Sequence, residues 1–427
     1  MSTVASPVLP AALAIRVFAA FASGYFMSYA LRSVNAVIAP DLIAEFGLSN
    51  AQLGSLSSAY FFAFAAMQMP LGIWLDRFGS RRVDATLLLV AAAGCAVFAL
   101  AHSVTLLWLG RALIGIGVSG ALMASLRAFR FWYVDARQQQ LAAWMLVAGT
   151  LGALVTTVPV QLALPLIGWR GVFWVAAVLL CVASAAIALQ LPGEPAGAAH
   201  HDEAPWAAYR QVFGEPYFWR FGLTSLTVQS SFIAFQGLWI GPWLRKVLDM
   251  DADSAAQALF VFNLVLMLGY MALGWAMPSL VRRGWTTLRL VASGVAVMLV
   301  LELAIAVAHG TAAWLLWLPL ALAATVNTLS QTHVSLSFPE KLTGRAFTAY
   351  NLVTMTGMFL AQWLFGVTVD LLSGGVEHSE QGFRSAMLAW VAIQGVALLV
   401  LVFWRVRPPR AVVGLATPIL PHRRARP

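Results

Sequence analysis

Apolar runs of membrane length recur along this chain, and no other feature constrains its fold as much. They fall at about 11–39, 51–75, 83–101, 105–132, 141–166 and 171–190, then at 219–244, 255–277, 288–308, 312–336, 346–372 and 383–404. A helix needs ~20 predominantly apolar residues to cross a bilayer. In hydrocarbon, helices and closed barrels are the structures that satisfy every backbone polar group. The pattern therefore predicts an all-α membrane protein with twelve transmembrane helices. Length alone would suggest about three soluble domains. The composition overrules that: 61% of residues are hydrophobic and 10% charged, against about 25% charged in a soluble domain.

The runs divide six and six. Between them, residues 191–216 are rich in Pro, Gly, Ala, His and acids and read as a solvated cytoplasmic linker, with a surface helix near 206–212. Residues 1–190 are expected to form one six-helix bundle and 217–404 a second, with a basic tail over 405–427. The first run is too long for a signal-peptide core and reads as a retained helix. The net charge of +9 does not point to nucleic acid, because the bases alternate between loops instead of forming a stripe. With the N-terminus inside, the loops holding Arg77, Arg81, Arg82, Arg137, Arg210, Arg282, Arg283, Arg289, Lys341 and Arg345 are cytoplasmic. The other loops hold Arg170, Arg245, Lys246 and Arg384. The asymmetry predicts cytoplasmic termini in an inner membrane. Cys95 and Cys181 both lie in apolar runs, so no disulfide framework or CxxC site is implied.

The turn after the second run is GIWLDRFGSRR, Gly72 to Arg82. Glycines at Gly72 and Gly79, an acid at Asp76 and bases at Arg77, Arg81 and Arg82 must sit at a water interface. This order resembles the loop between the second and third helices of the major facilitator superfamily of secondary transporters. The resemblance implies two pseudo-symmetric six-helix halves and makes these six residues a conformational gate. A weaker echo stands at 274–285, where Arg282 and Arg283 survive but the acid does not. Arg111 opens RALIGIG, which resembles the superfamily's fourth-helix motif and joins Arg111 to the gate. The alternative for Arg111 is snorkelling to the interface. Ser49 and Gln52 have capping-box spacing before the second helix.

Arg32 lies inside the first run, with Tyr29 one turn and Tyr25 two turns before it on nearly the same face. A buried arginine costs at least ~2.5 kcal/mol in a bilayer, so it should meet water, an anion or an acid. The Tyr, Tyr, Arg, Pro arrangement resembles two anion-handling families: the organophosphate:phosphate antiporters and the anion:cation symporters of sialin, hexuronate and galactonate type. MQMPLGIWLDRFGSR, Met67 to Arg81, favours the symporters. So does Arg127, five residues before Trp132-Tyr133. The antiporters pair their first arginine with one on the seventh helix; here Arg220 stands only at that helix's cytoplasmic start, so the pairing is missing. The symporters carry an acid just before the first arginine; here that position is Leu31. Glu302, alone in the ninth run, reads as a coupling acid or an interfacial one, and Asp370, ending the eleventh, as interfacial.

Polar residues mark the helices that would line a cavity: Gln229 and Gln236, Asn327 and Gln331, and Asn351. Each can bond a substrate or a neighbouring helix. Asp249, Asp251 and Asp253 lack the glycine and closing glutamate of a calcium loop and read as a cap on the eighth helix. His333 reads as a hydrogen-bonded helix-end histidine, the alternative being a proton relay. No metal, cofactor or nucleotide loop is expected, and no enzyme activity. The expected function is transport of a small organic anion by a monomer in the bilayer, cation- or proton-coupled and inward. Substrate contacts are expected from Arg32, Arg127, Tyr25, Tyr29, Gln229, Gln236, Asn327, Gln331 and Asn351. Efflux of hydrophobic, drug-like compounds and a non-transporting membrane receptor are the alternatives.

Overall fold

The computed structural model describes residues 10–133, 135–190, 205–374 and 380–409. All elements among them are helical. The first crossing is Ala11–Ser33 continued by Asn35–Phe46, with a bend at Val34. The second and third form one run, Asn50–Ala99, interrupted at Gly79. Gly79 has φ 78° and ψ 160°, a region that is essentially glycine's alone. That is why the charged turn carries a glycine there. The fourth crossing is Val104–Val118 continued by Ala121–Trp132.

The fifth begins with Asp135–Val155 and loosens at Thr156 and Thr157. Helix Val158–Gln190 then breaks at Gly168, φ 64° and ψ 172°. Residues 158–167 thus continue the fifth crossing and 169–190 make the sixth, where the apolar runs placed the boundary. The short helix Pro205–Phe213 follows, matching the expected surface helix. The seventh crossing, 216–246, is continuous but carries π-turns at Ser225–Gln229 and Phe235–Trp239. The last five are Ala252–Arg282, Thr287–Val307, Thr311–Leu336, Glu340–Leu372 and Glu380–Phe403.

Two sequence-level caps are present. Ser49 and Gln52 close a capping box on the second crossing. Asp251 accepts from the backbone N–H of Ser254 at 2.9 Å and starts the eighth.

Within each half the crossings pack tightly, the third against the fourth and sixth, the ninth against the twelfth. The halves meet where the second crossing packs on the eleventh, the fifth on the eighth and the first on the seventh. At the end away from the Arg-rich loops, here called the far face, backbones touch across the halves. A Cβ on Gly241 would lie 2.0 Å from the Ala36 carbonyl, and one on Gly366 2.3 Å from the Asn50 carbonyl. Gln161 donates to Asp253 across the same face at 3.3 Å. The halves are therefore closed there. Indoles of Trp239, Trp243 and Trp317, nested with Phe235, Phe365 and Phe383, fill the second half's core.

Candidate functional site

The first crossing carries a polar cluster in the molecule's interior. The Arg32 guanidinium lies 3.8 Å from the centroid of the Tyr29 ring. Tyr25 donates its hydroxyl to that of Tyr29 at 3.3 Å, and their rings meet edge to face. Gly149 of the fifth crossing makes room, since a Cβ there would sit 2.9 Å from both Tyr25 and Tyr29. Tyr60 of the second crossing donates to the Ser28 carbonyl at 3.2 Å. Tyr270 of the eighth lies within electrostatic reach of Tyr29 and Arg32 from the other half. The π-turn at Phe235–Trp239 completes the wall: a Cβ on Gly237 would come 3.4 Å from the Arg32 carbonyl. Arg32 forms no salt bridge among the described residues. A guanidinium ringed by phenols, with no acid among the described residues to neutralise it, is chemically suited to an anion.

Arg111 does not snorkel. It is 1% exposed, donates to the Leu31 carbonyl at 2.8 Å and faces the Tyr60 ring at 5.5 Å. It grips the first crossing beside Arg32, so its placement is interior and adjoins the cluster. Arg127 stands apart. It faces the Phe131 ring at 5.7 Å, and its neighbour Phe129 packs on Phe18 and Phe21. That level is about ten residues below Arg32, roughly 15 Å along the helix. The structure does not bring the two arginines together.

The polar amides are spent on neighbours. Gln236 donates to Asn263 at 2.9 Å, joining the seventh and eighth crossings. Asn327 donates to the Met298 sulfur at 3.2 Å, towards the ninth. Gln331 donates to the Phe347 carbonyl at 3.4 Å, and Gln229 accepts from Ser225 within the first π-turn. Asn351 donates to Gln68 across the halves at 3.1 Å. Of the gate loop, Arg77 stacks near Phe78 at 5.3 Å. Gly72 and Arg81 are half-buried and Arg82 is exposed. The side chain of Asp76 lies outside the described residues. His333 is hydrogen-bonded, to Tyr217 at 2.8 Å.

One acid, Asp84, carries no signal in the sequence, and two others, Glu302 and Asp370, find partners that only the fold supplies. Asp84, at the start of the third crossing, is fully buried, and neither carboxylate oxygen has a hydrogen-bond partner among the described residues. Glu302 is fully buried against the twelfth crossing: it accepts from Gln394 at 2.7 Å, and its second oxygen has no partner among the described residues. Asp370, read as interfacial, stands at the end of the eleventh crossing and reaches the start of the second crossing in the opposite half. Tyr60 was missed as well, because a lone tyrosine in an apolar run carries no signal until the helix opposite is known.

A family model described as Major Facilitator Superfamily matches residues 21–362. Among curated proteins, the probable sulfoacetate transporter SauU of Cupriavidus necator is 34% identical over 35% of this chain and 35% of its own length. The hexuronate transporter of Escherichia coli is 26% identical over 36% of each. The gentisate transporter of Corynebacterium glutamicum is 25% identical over 55% of each. The first two matches thus span about a third of those relatives' length. Among solved structures, a bacterial homolog of the human lysosomal transporter Spinster superposes with a TM-score of 0.75 at 18% identity, covering 92% of this chain and 97% of that one. A D-xylose-proton symporter superposes with a TM-score of 0.74 at 15% identity, covering 93% and 99%.

Proposed function

This chain belongs to the Major Facilitator Superfamily, and we propose that it carries a small organic anion across the membrane by alternating access. The observation that carries the reading is Arg32: a guanidinium inside a crossing, stacked on Tyr29, ringed by tyrosines and without a salt bridge among the described residues. An arginine left in that state is costly in a bilayer, and an arriving carboxylate or sulfonate removes the cost. The guanidinium fork holds either group through paired hydrogen bonds, and the phenols add donors. Sulfoacetate, hexuronate and gentisate transporters among the relatives support an anionic cargo. Contacts from both halves near Arg32, with Tyr270 and Gly237 on one side and the first crossing on the other, suit a cargo bound between halves that rock.

Cation coupling needs a carboxylate that can gain and lose a partner. Leu31 cannot serve. We assign the role to Asp84, buried with both oxygens unpartnered among the described residues, and read transport as uptake from the far face with the termini cytoplasmic. The 191–216 linker and the bundles over 1–190 and 217–404 are part of the same reading.

The test is uptake of labelled sulfoacetate, glucuronate and gentisate into proteoliposomes, with and without an inward proton or sodium gradient. The reading expects saturable uptake of at least one of them, lost in Arg32→Lys. Uptake of a cationic or neutral compound instead, undiminished in Arg32→Lys, overturns it.

A further inference from the structure

We propose that Asp370 is a latch that holds the far face shut by capping a helix of the opposite half. Asp370 ends the eleventh crossing. Its Oδ1 accepts from the Asn50 side-chain amide at 2.7 Å and the Asn50 backbone N–H at 3.3 Å, and its Oδ2 accepts from the Ala51 N–H at 2.7 Å. These donors begin the second crossing.

A helix start leaves four backbone N–H groups without partners of its own. Here the capping box serves two: Ser49 N–H donates to Gln52 Oε1 at 3.0 Å, and Gln52 N–H to Ser49 Oγ at 3.2 Å. The other two, on Asn50 and Ala51, go to Asp370. Capping of this one helix is thus shared between its own half and the other. The carboxylate also meets the positive end of the helix dipole, where a negative charge is stabilised. No base forms a salt bridge with Asp370 among the described residues.

The approach is built for contact. Gly54 and Gly366 lie on the facing sides of the second and eleventh crossings; a Cβ on Gly54 would be 2.3 Å from the Gln362 carbonyl, and one on Gly366 2.3 Å from the Asn50 carbonyl. These glycines let the backbones close until a short aspartate spans the gap. Opening the far face parts the ends of these two helices. Three hydrogen bonds to one carboxylate then break together, and two helix-start N–H groups lose their partner. The latch therefore biases the resting carrier towards the far-face-closed state. Asp76 is expected at the other end of the same helix pair, against the start of the eleventh crossing, so the two acids would lock opposite faces in turn. The latch rests on alternating access and is independent of what is carried.

The test uses the full chain with Cys95 and Cys181 replaced by alanine and nitroxides on cysteines at His102 and Leu371, both exposed at the far face. Pulsed electron–electron double resonance in nanodiscs, without substrate, reads the distance between the halves. Asp370→Asn should raise the ratio of long-distance to short-distance populations about tenfold. Asn50→Ala, which removes one donor from the opposite half, should raise it less, and the double variant should fall short of the product of the two. An unchanged distribution in both variants, each monodisperse, or a double variant equal to that product, overturns the latch. If Asp370→Asn fails to fold, Asn50→Ala decides alone by the same ratio. Because no substrate is present, failure of the anion assay leaves this result standing.

Discussion

Arg32 and Arg127 look equivalent along the chain, each an arginine inside an apolar run, yet they differ in the structure. Arg32 has a phenol ring at 3.8 Å and hydroxyls around it, whereas Arg127 lies near Phe131 about three turns away in depth. Arg32→Lys should weaken substrate-dependent thermal stabilisation at least ~tenfold in apparent affinity, because an ammonium cannot copy the paired hydrogen bonds of the fork. Arg127→Lys should cost only a few-fold, since the depth difference keeps it off the Arg32 cluster. Equal losses in the two variants would return Arg127 to the site. Asp84 yields a second prediction. Asp84→Asn should abolish gradient-driven accumulation while sparing substrate exchange across the membrane. Accumulation retained in Asp84→Asn would remove it from coupling.

At the scale of elements, breaks in helices matter more than the helices themselves. Gly79 and Gly168 occupy backbone conformations closed to other residues, whereas a Cβ on Gly72 would meet open space. Gly79→Ala and Gly168→Ala should each cost about 1–3 kcal/mol and lower the melting temperature. Gly72→Ala should leave it unchanged or raise it, since it removes only chain entropy. Gly72 and Gly79 thus divide by geometry where the motif treats them alike.

A second staple joins the end of Asn35–Phe46 to the sixth crossing. Glu45 accepts from Arg170 at 2.6 and 2.7 Å and from the Trp169 indole at 2.9 Å. The Arg170 bonds hold the Glu45 carboxyl below its ordinary range. A depressed carboxylate contributes stability above the unfolded pKa, and loses it as pH falls through the folded one. The pair is about a third exposed, so the contribution is on the order of 0.5–1 kcal/mol. Glu45→Gln should melt lower than the parent at pH 7, and the gap should close as pH drops below about 4. A gap independent of pH would assign the effect to packing.

For the whole molecule, orientation is the open quantity that charge decides. His102 is exposed at the far face and Gln211 at the face of the Arg-rich loops. In right-side-out vesicles, an impermeant thiol reagent should label His102→Cys and spare Gln211→Cys, each in a chain without Cys95 and Cys181. The opposite pattern would invert the topology.

Periodicity and composition act locally, so they were enough to place twelve crossings, the glycine turn at Gly79, the capping box at Ser49 and Gln52, and the triad Tyr25, Tyr29 and Arg32 on one face. The boundary at Gly168 was legible too, because an apolar run ended there. What the chain alone left undecided was partnership. The amides of Gln236, Asn327 and Gln331 read equally as substrate ligands or helix glue, and only the packing showed each bonded to a neighbouring helix. Arg111 turned inward because the Leu31 carbonyl, 80 residues away, lies opposite it. Asp370 found a helix start 320 residues away in the other half. In a bilayer an unpaired polar group is costly wherever it sits, so sequence shows that such a group needs a partner. Which partner it finds is decided by the fold.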